Sequence, residues 1–293
     1  EVRRLFAEGR LEVGAAYVDR WENLVCGETL IRNIQIGQQV LAKRLGLRTR
    51  LVIHPDLPGL NTQMAQICAQ SGIDFYVTAR KMFQEGRIWR LRGPDGSGLV
   101  VMTWPMFYVF VPFSQADIPP HPGRNFTRGR TLPLEGLEGR YPLGHVGISA
   151  GAGDLTDSGQ FQSAYGLDVR ELLENCRRRY PQTDWGFGIA ADLLAPYAEA
   201  DAPPIVEVTE TIPSVWGVGA TEDFRLITAF RRNEALLLAA ESAAALAMLE
   251  GRAAIPARTH DWRGAYGEIA FFADAFCSHD DSPASGTELD WLW

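Results

Sequence analysis

A chain of 293 residues with 46% hydrophobic and 22% charged side chains is long enough to bury a full core and too apolar to be disordered as a whole. Thirty-six Asp and Glu against 28 Lys and Arg give a net charge of −8, which argues against nucleic acid or an anionic membrane as the main partner and leaves a neutral ligand such as a sugar open. No apolar run reaches membrane-spanning length, and Glu1-Val2-Arg3-Arg4 is neither a signal peptide nor a translation start, so the expectation is a processed or trimmed chain with the cytoplasm favoured.

In chain order, apolar runs alternate with amphipathic segments. A strand is predicted over Leu11–Val18, a helix over Thr29–Leu45, a strand over Leu51–Ile53, a helix over Gln63–Gln70 and a strand over Phe75–Thr78. This β-then-α rhythm belongs to a parallel sheet or barrel. Ile88–Leu91 and Leu99–Thr103 flank Gly93-Pro94-Asp95-Gly96 and read as a hairpin, and the Pro-, Gly- and Arg-rich stretch Pro105–Leu143 reads as a long loop over one face. Further on come a strand over His145–Ser149, a helix over Val169–Arg179, a strand over Trp185–Ile189, a helix over Ala191–Ala200 and a strand over Ile205–Val208. After Pro213 the composition turns to Ala, Leu and Glu, predicting a long helix over Phe224–Leu249 and another over Trp262–Cys277. Cys26, Cys68, Cys176 and Cys277 are far apart with no C-x-x-C spacing, so neither a thiolate zinc site nor a redox pair is indicated.

The most chemically informative stretch is His54-Pro55-Asp56-Leu57-Pro58-Gly59-Leu60-Asn61. It places one carboxylate, Asp56, after the apolar run Leu51–Ile53 and before a glycine turn, with Asn61 available to cap the helix that carries Met64, Ile67 and Cys68. In a barrel enzyme the carboxyl edge of the strands is where catalytic residues sit. Judged on local sequence alone, an Asp here also serves as a turn residue.

Several segments, in order, resemble the N-terminal catalytic region of glycoside hydrolase family 38, the α-mannosidases. Glu8-Gly9-Arg10-Leu11-Glu12-Val13-Gly14 is similar to that family's "EGRxEVGG", and Glu22-Asn23-Leu24 with Gly27-Glu28-Thr29-Leu30-Ile31-Arg32-Asn33 is similar to its "NLxSGESLIRN". The Asp56 segment is similar to "PDxFG" or "DxPG" followed by "QxPQI", with Pro58 standing where many relatives have Phe. The resemblance implies that Asp56 is the retaining nucleophile and also touches a zinc ion. A retaining glycosidase needs a second carboxylate as acid/base roughly 5 Å away.

The same resemblance extends downstream. Gly72–Lys81 is similar to the family's next strand, which implies that Arg80 lies near the nucleophile, lowers its pKa and helps bind substrate. Phe276-Cys277-Ser278-His279-Asp280-Asp281 with Gly286-Thr287 is similar to "QHHDAxxGT", implying His279 as a zinc ligand and Asp280 as a contact to the bound sugar. Gly151-Ala152-Gly153-Asp154 is similar to the family's Gly-Asp segment and makes Asp154 the first choice for acid/base and Asp157 the second, although Thr156, Asp157 and Ser158 replace glycines of many relatives. His54, His121 and His145 have no paired ligand spacing and read as loop or strand-end residues. Trp89, Trp104, Phe107 and Tyr108 offer aromatic faces to a sugar but equally suit packing.

Family members carry a His-x-Asp segment on their first strand that supplies two more zinc ligands, whereas no His precedes His54 here. The expected fold is therefore α/β: most of a (β/α)7-type barrel over residues 1–212, lacking its first strand, followed by the start of a helical bundle over 213–293. The expected function is zinc-dependent retaining hydrolysis of an α-mannoside, with the remaining ligands upstream of residue 1. A non-catalytic carbohydrate-binding relative with an incomplete metal site is the alternative. Neither nucleic acid nor membrane is an expected partner, and homo-oligomerisation is left open.

Overall fold

The computed structural model of the protein describes residues 1–18, 22–54, 59–78, 87–104, 140–147, 169–213 and 224–251. Its centre is a mixed sheet of five strands: β1 (Leu51–His54), β2 (Phe75–Thr78), β3 (Arg87–Arg92), β4 (Gly98–Thr103) and β5 (Val206–Val208), in the order β1-β2-β4-β3-β5. β1, β2 and β4 are parallel, β3 runs antiparallel to β4, and β5 runs parallel to β3. β2 is buried along its whole length and β4 over all but Gly98, because both faces of the sheet are covered.

One face packs on α2 (Gly27–Val40) and α3 (Gln63–Gln70) through Leu30, Ile34, Met64, Ala65, Ile67 and Cys68 against Val52, Tyr76, Trp89 and Val101. The other is covered by Leu194 and Tyr197, from the short helix Ala190–Leu194 and its 3₁₀ extension Ala195–Tyr197, with Tyr141, against Leu51, Phe75, Val77, Val100 and Met102. The split follows from strand alternation, since successive side chains point to opposite faces.

The helices start and stop for local reasons. In α2 the buried positions Thr29, Leu30, Asn33, Ile34 and Gly37 recur along one helical face, and a π turn over Leu41–Leu45 ends at Gly46 in the left-handed region. Ahead of α3, Gln63 N–H donates to Asn61 Oδ1 at 2.9 Å. The N-cap position falls on Thr62, which makes no side-chain cap bond, so Asn61, the cap expected from sequence, acts instead as a turn residue one place before it. The helix closes with Ile73 N–H on Cys68 O and Gly72 N–H on Ala69 O, Gly72 having φ +70°. In the β3–β4 turn, Gly96 takes φ +85° and the Asp95 carboxylate accepts both Ser97 N–H and Ser97 Oγ–H, which fixes the hairpin.

Three strand expectations are corrected. Leu11–Val18 forms no strand: Ala15 N–H reaches Leu51 O on the outer edge of β1, but Tyr17 N–H bonds Asn33 O, and the Asn33 side chain bonds both the N–H and the C=O of Val18. Helix α2, not a neighbouring strand, satisfies that backbone. Trp185–Ile189 is irregular and mostly exposed, with Phe187 69% accessible, so alternation there has no buried face to serve. Its end is instead drawn to the Glu12 carboxylate, which accepts the N–H groups of Ala190 and Ala191 at 2.9 Å each; burial pushes the Glu12 carboxyl up, with the two amide donors pulling against it. His145–Gly147 is likewise not a strand, and Ile148–Ser149 lie outside the described residues.

The barrel expectation is met only at the level of a mixed α/β fold. Among the described residues the sheet is open, with β1 and β5 at its two edges, and β3 and β5 run against the other three strands. Of the expected helical bundle, the described part is α6 (Phe224–Leu249), and Trp262–Cys277 lies outside the described residues. The remaining helices are α1 (Val2–Ala7), α4 (Val169–Arg179) and α5 (Ala190–Leu194).

The contact between α2 and the 15–17 segment admits no side chain at Gly37. A Cβ there would lie 2.0 Å from Ala15 O, 2.6 Å from Tyr17 N and 2.7 Å from the Ala16 carbonyl carbon. Gly37→Ala is therefore expected to destabilise the protein by about 2 kcal/mol or more, because backbone overlap outweighs the roughly 1 kcal/mol gain in helix propensity. Urea denaturation measures this directly; a neutral or stabilising alanine would mean that the segment does not lie where described.

Candidate functional site

Parallel pairing aligns the carboxyl ends of β1, β2 and β4. His54 is the register partner of Thr78, and Thr78 that of Thr103. Each follows by two residues a side chain of the α2/α3 core (Val52, Tyr76 and Val101), so the three project from the same face as a polar row, and all are at most 1% exposed. The indole N–H of Trp89 donates to Thr103 Oγ1 at 2.9 Å, while the Thr78 hydroxyl has no hydrogen-bond partner among the described residues.

Behind this row lies a buried network. The Tyr76 phenol donates to Glu22 Oε1 at 2.6 Å and meets His54 Nδ1 at 2.9 Å, with the two rings edge to face at 5.4 Å between centroids. Because the phenol proton is given to the carboxylate, His54 Nδ1 donates to the phenol oxygen, and the chain runs imidazole to phenol to carboxylate. Glu22 is 2% exposed. Its second oxygen accepts the N–H of Asn61 at 3.0 Å. Asn23 Nδ2 donates to Ile212 O at 2.9 Å, and Ile212 exchanges two backbone bonds of 2.9 Å with Leu60. Gly59 adopts φ +87°, a conformation that side chains resist, at the point where the chain re-enters this framework.

The residues nominated from sequence as the site, Asp56, Arg80, Asp154, Asp157, His279 and Asp280, all lie outside the described residues, as do His121, Phe107 and Tyr108. Of the other nominees, Trp89 is fully buried in the core and Trp104 packs partly buried against the second cluster, so the packing reading holds for both. His145 is exposed, and His54 is a strand-end residue as expected. Sequence reasoning missed Glu22 and Tyr76 as partners of His54. The signal for Tyr76 was present, since it shares a face with His54 once β1 and β2 pair in register, whereas nothing local to Glu22 announces a contact with either strand.

Among the described residues no three His, Cys, Asp or Glu side chains converge as a metal centre requires, and no helix is long and apolar enough to cross a membrane. Cys26, Cys68 and Cys176 are free thiols, Cys68 fully enclosed and raised in pKa by burial.

Residues 1–130 match the Glycosyl hydrolases family 38 N-terminal domain. The alpha-mannosidase of Saccharomyces cerevisiae is 37% identical over 68 residues, which are 23% of this chain and 6% of that protein. Among solved structures, an alpha-mannosidase from Enterococcus faecalis aligns with a TM-score of 0.44 and 15% identity over 72% of this chain and 23% of that one. A 4-alpha-glucanotransferase from Thermococcus litoralis aligns with a TM-score of 0.38 and 12% identity over 86% of this chain and 35% of that one. The match over residues 1–130 agrees with the resemblance that the motifs around Glu8–Gly14, Gly27–Asn33 and Asp56 carry. The chain spans a small fraction of the length of these relatives.

Proposed function

We propose that this chain contributes the catalytic region of a retaining α-mannosidase, with Asp56 as nucleophile. The observation that supports the reading is the alignment of β1, β2 and β4 within the family 38 region: their carboxyl ends, His54, Thr78 and Thr103, stand side by side on parallel strands. In sequence Asp56 follows the first of these ends by two residues and Arg80 follows the second by two; in this reading the two stand at the same edge, where catalytic residues of barrel enzymes sit. In this reading the barrel closes beyond the described strands, and the helical segment from residue 213 brings His279 and Asp280 to the same edge.

The chemistry asked of these residues is specific. The Asp56 carboxylate attacks the anomeric carbon, displacing the leaving oxygen and forming a covalent glycosyl ester, while the acid, Asp154 in first place, gives its proton to that oxygen. Asp154, now a base, takes a proton from the water that cleaves the ester, so the configuration is retained. Arg80 keeps Asp56 ionised, and Asp280 hydrogen-bonds the sugar. Zinc is assigned to Asp56 and His279, with further ligands from a His-x-Asp segment of the kind the family carries ahead of the Glu8–Gly14 stretch. When bound, zinc would supply Lewis-acid charge toward the hydroxyls of the sugar.

The test is metal content and hydrolysis of an aryl α-mannoside by the 293-residue chain and by a version extended through the coding sequence upstream of Glu1, with NMR of the first-formed sugar. A protein that carries both nominated carboxylates and its full zinc ligand set is expected to hold zinc and release α-mannose first, since a catalytic zinc needs about three protein ligands. An extended protein that binds mannosides without hydrolysing them would establish the non-catalytic alternative.

A further inference from the structure

Glu22 has no packing reason to be charged. It is 2% exposed, and a buried carboxylate is tolerated only when its oxygens are hydrogen-bonded. Both are, and to different parts of the chain. Oε1 takes the phenol of Tyr76, which in turn holds His54, and Oε2 takes the N–H of Asn61. His54 is the last residue of β1 and Asn61 lies seven positions on. Between them runs Pro55-Asp56-Leu57-Pro58-Gly59-Leu60, so one carboxylate fixes the two ends of the segment that carries Asp56.

Neighbouring bonds act in the same sense. Asn23, the next residue in sequence, donates to Ile212 O, and Ile212 pairs with Leu60, one residue before Asn61. The Glu22-Asn23 dipeptide therefore reaches both the segment's exit and the strand-like partner of that exit. The Tyr76 phenol joins two adjacent strands, because Tyr76 sits on β2 while His54 sits on β1, and Glu22 Oε1 also lies 3.4 Å from His54 Nδ1 itself.

We propose that Glu22 is a positioning residue for Asp56. It sets the distance between His54 and Asn61 and so the span across which the Asp56 carboxylate is presented, reaching β1 through the Tyr76 phenol and through His54 Nδ1 at 3.4 Å. The proposal rests on the reading of Asp56 as nucleophile. It adds a residue that touches neither sugar nor metal but governs where the nucleophile stands.

The experiment compares Glu22→Ala, Glu22→Gln and Tyr76→Phe with wild type in the upstream-extended protein, by hydrogen exchange over overlapping peptides and by aryl α-mannoside kinetics. In Glu22→Ala, exchange at Leu60 and Asn61 is expected to quicken by about tenfold or more while the β3–β4 hairpin is unchanged, as a local opening demands. The kcat should fall about 10- to 100-fold, the scale of a misplacement near 1 Å, with KM within about twofold. Glu22→Gln, with one acceptor oxygen for two donors, should recover part of both effects, and Tyr76→Phe should show the kcat loss with less change at Asn61. Unchanged exchange at Leu60 and Asn61 in Glu22→Ala overturns the proposal, as does quickened exchange with kcat intact. If Glu22→Ala does not fold, Glu22→Gln and Tyr76→Phe decide on the same readouts. Should the wild type itself show no glycosidase activity with zinc present, the mannosidase reading fails, and the exchange measurements alone judge whether Glu22 holds the segment.

Discussion

Asp56→Ala in the upstream-extended protein is expected to lower aryl α-mannoside turnover by about 10⁴-fold or more, the scale of removing a covalent nucleophile from an otherwise intact site. The argument is stereochemical as well as energetic. Without the carboxylate no glycosyl ester forms, and the base of the second step has no ester for its activated water to cleave. Azide, small enough to enter the vacated volume, should restore part of the turnover and give the β-configured mannosyl azide, because it attacks from the face Asp56 occupied. Turnover undiminished in Asp56→Ala would show that the nucleophile is elsewhere. Circular dichroism and urea midpoints should be little changed, since Asp56 follows the end of β1 and the cores are built without it.

Replacing Glu234 by alanine should cost stability of about 2 to 4 kcal/mol, the second large effect expected here. Glu234 is 2% exposed on α6, where it accepts Cys26 N–H at 3.1 Å and the Thr29 hydroxyl at the start of α2. Cys26 itself makes no side-chain cap bond, so the carboxylate of another helix does the capping and also meets the helix dipole with the favourable sign. Its other oxygen holds Arg231 at 2.8 Å, and Arg231 also donates to Leu24 O. Alanine would remove the acceptor that the half-buried Cys26 N–H and the buried Thr29 hydroxyl share. Urea denaturation followed by tryptophan fluorescence measures the loss, and Glu234→Gln, which keeps one acceptor, should lose about half as much. Arg231→Ala should cost under about 1 kcal/mol, because its side chain is 47% exposed and its ion pair is screened. A Glu234→Ala protein as stable as wild type would mean that α6 is held by other contacts.

Much of the scaffold was legible because local physics decides it. The apolar runs Leu51–Ile53, Phe75–Thr78 and Leu99–Thr103 become strands, since a strand buried on both faces needs continuous hydrophobicity, and the Gly93-Pro94-Asp95-Gly96 turn dictates its hairpin. Helices Gln63–Gln70, Val169–Arg179 and Phe224–Leu249 stand where periodicity and composition place them. The match of the first 130 residues to the family 38 N-terminal domain was likewise foreshadowed by ordered motifs around Glu8–Gly14, Gly27–Asn33 and Asp56.

Other features depend on what each segment meets. Leu11–Val18 has the alternation of a strand, yet while Ala15 N–H reaches β1, the amides of Tyr17 and Val18 are taken by the backbone and side chain of Asn33, a choice made by α2 lying across the segment with Gly37 in contact. Trp185–Ile189 has strand-forming residues but no buried surface to pair on. The direction of β5, the edges of the sheet and the docking of Glu234 are likewise matters of partner and register, which propensity does not encode. The same holds at the candidate site. The sequence alone singled out Asp56, because a carboxylate between an apolar strand and a glycine turn is a local pattern. Only the tertiary structure placed Glu22, Tyr76, His54 and Asn61 in one buried network, because hydrogen bonds between residues so far apart in the chain exist only once parallel strands have aligned their ends and closed the core behind them.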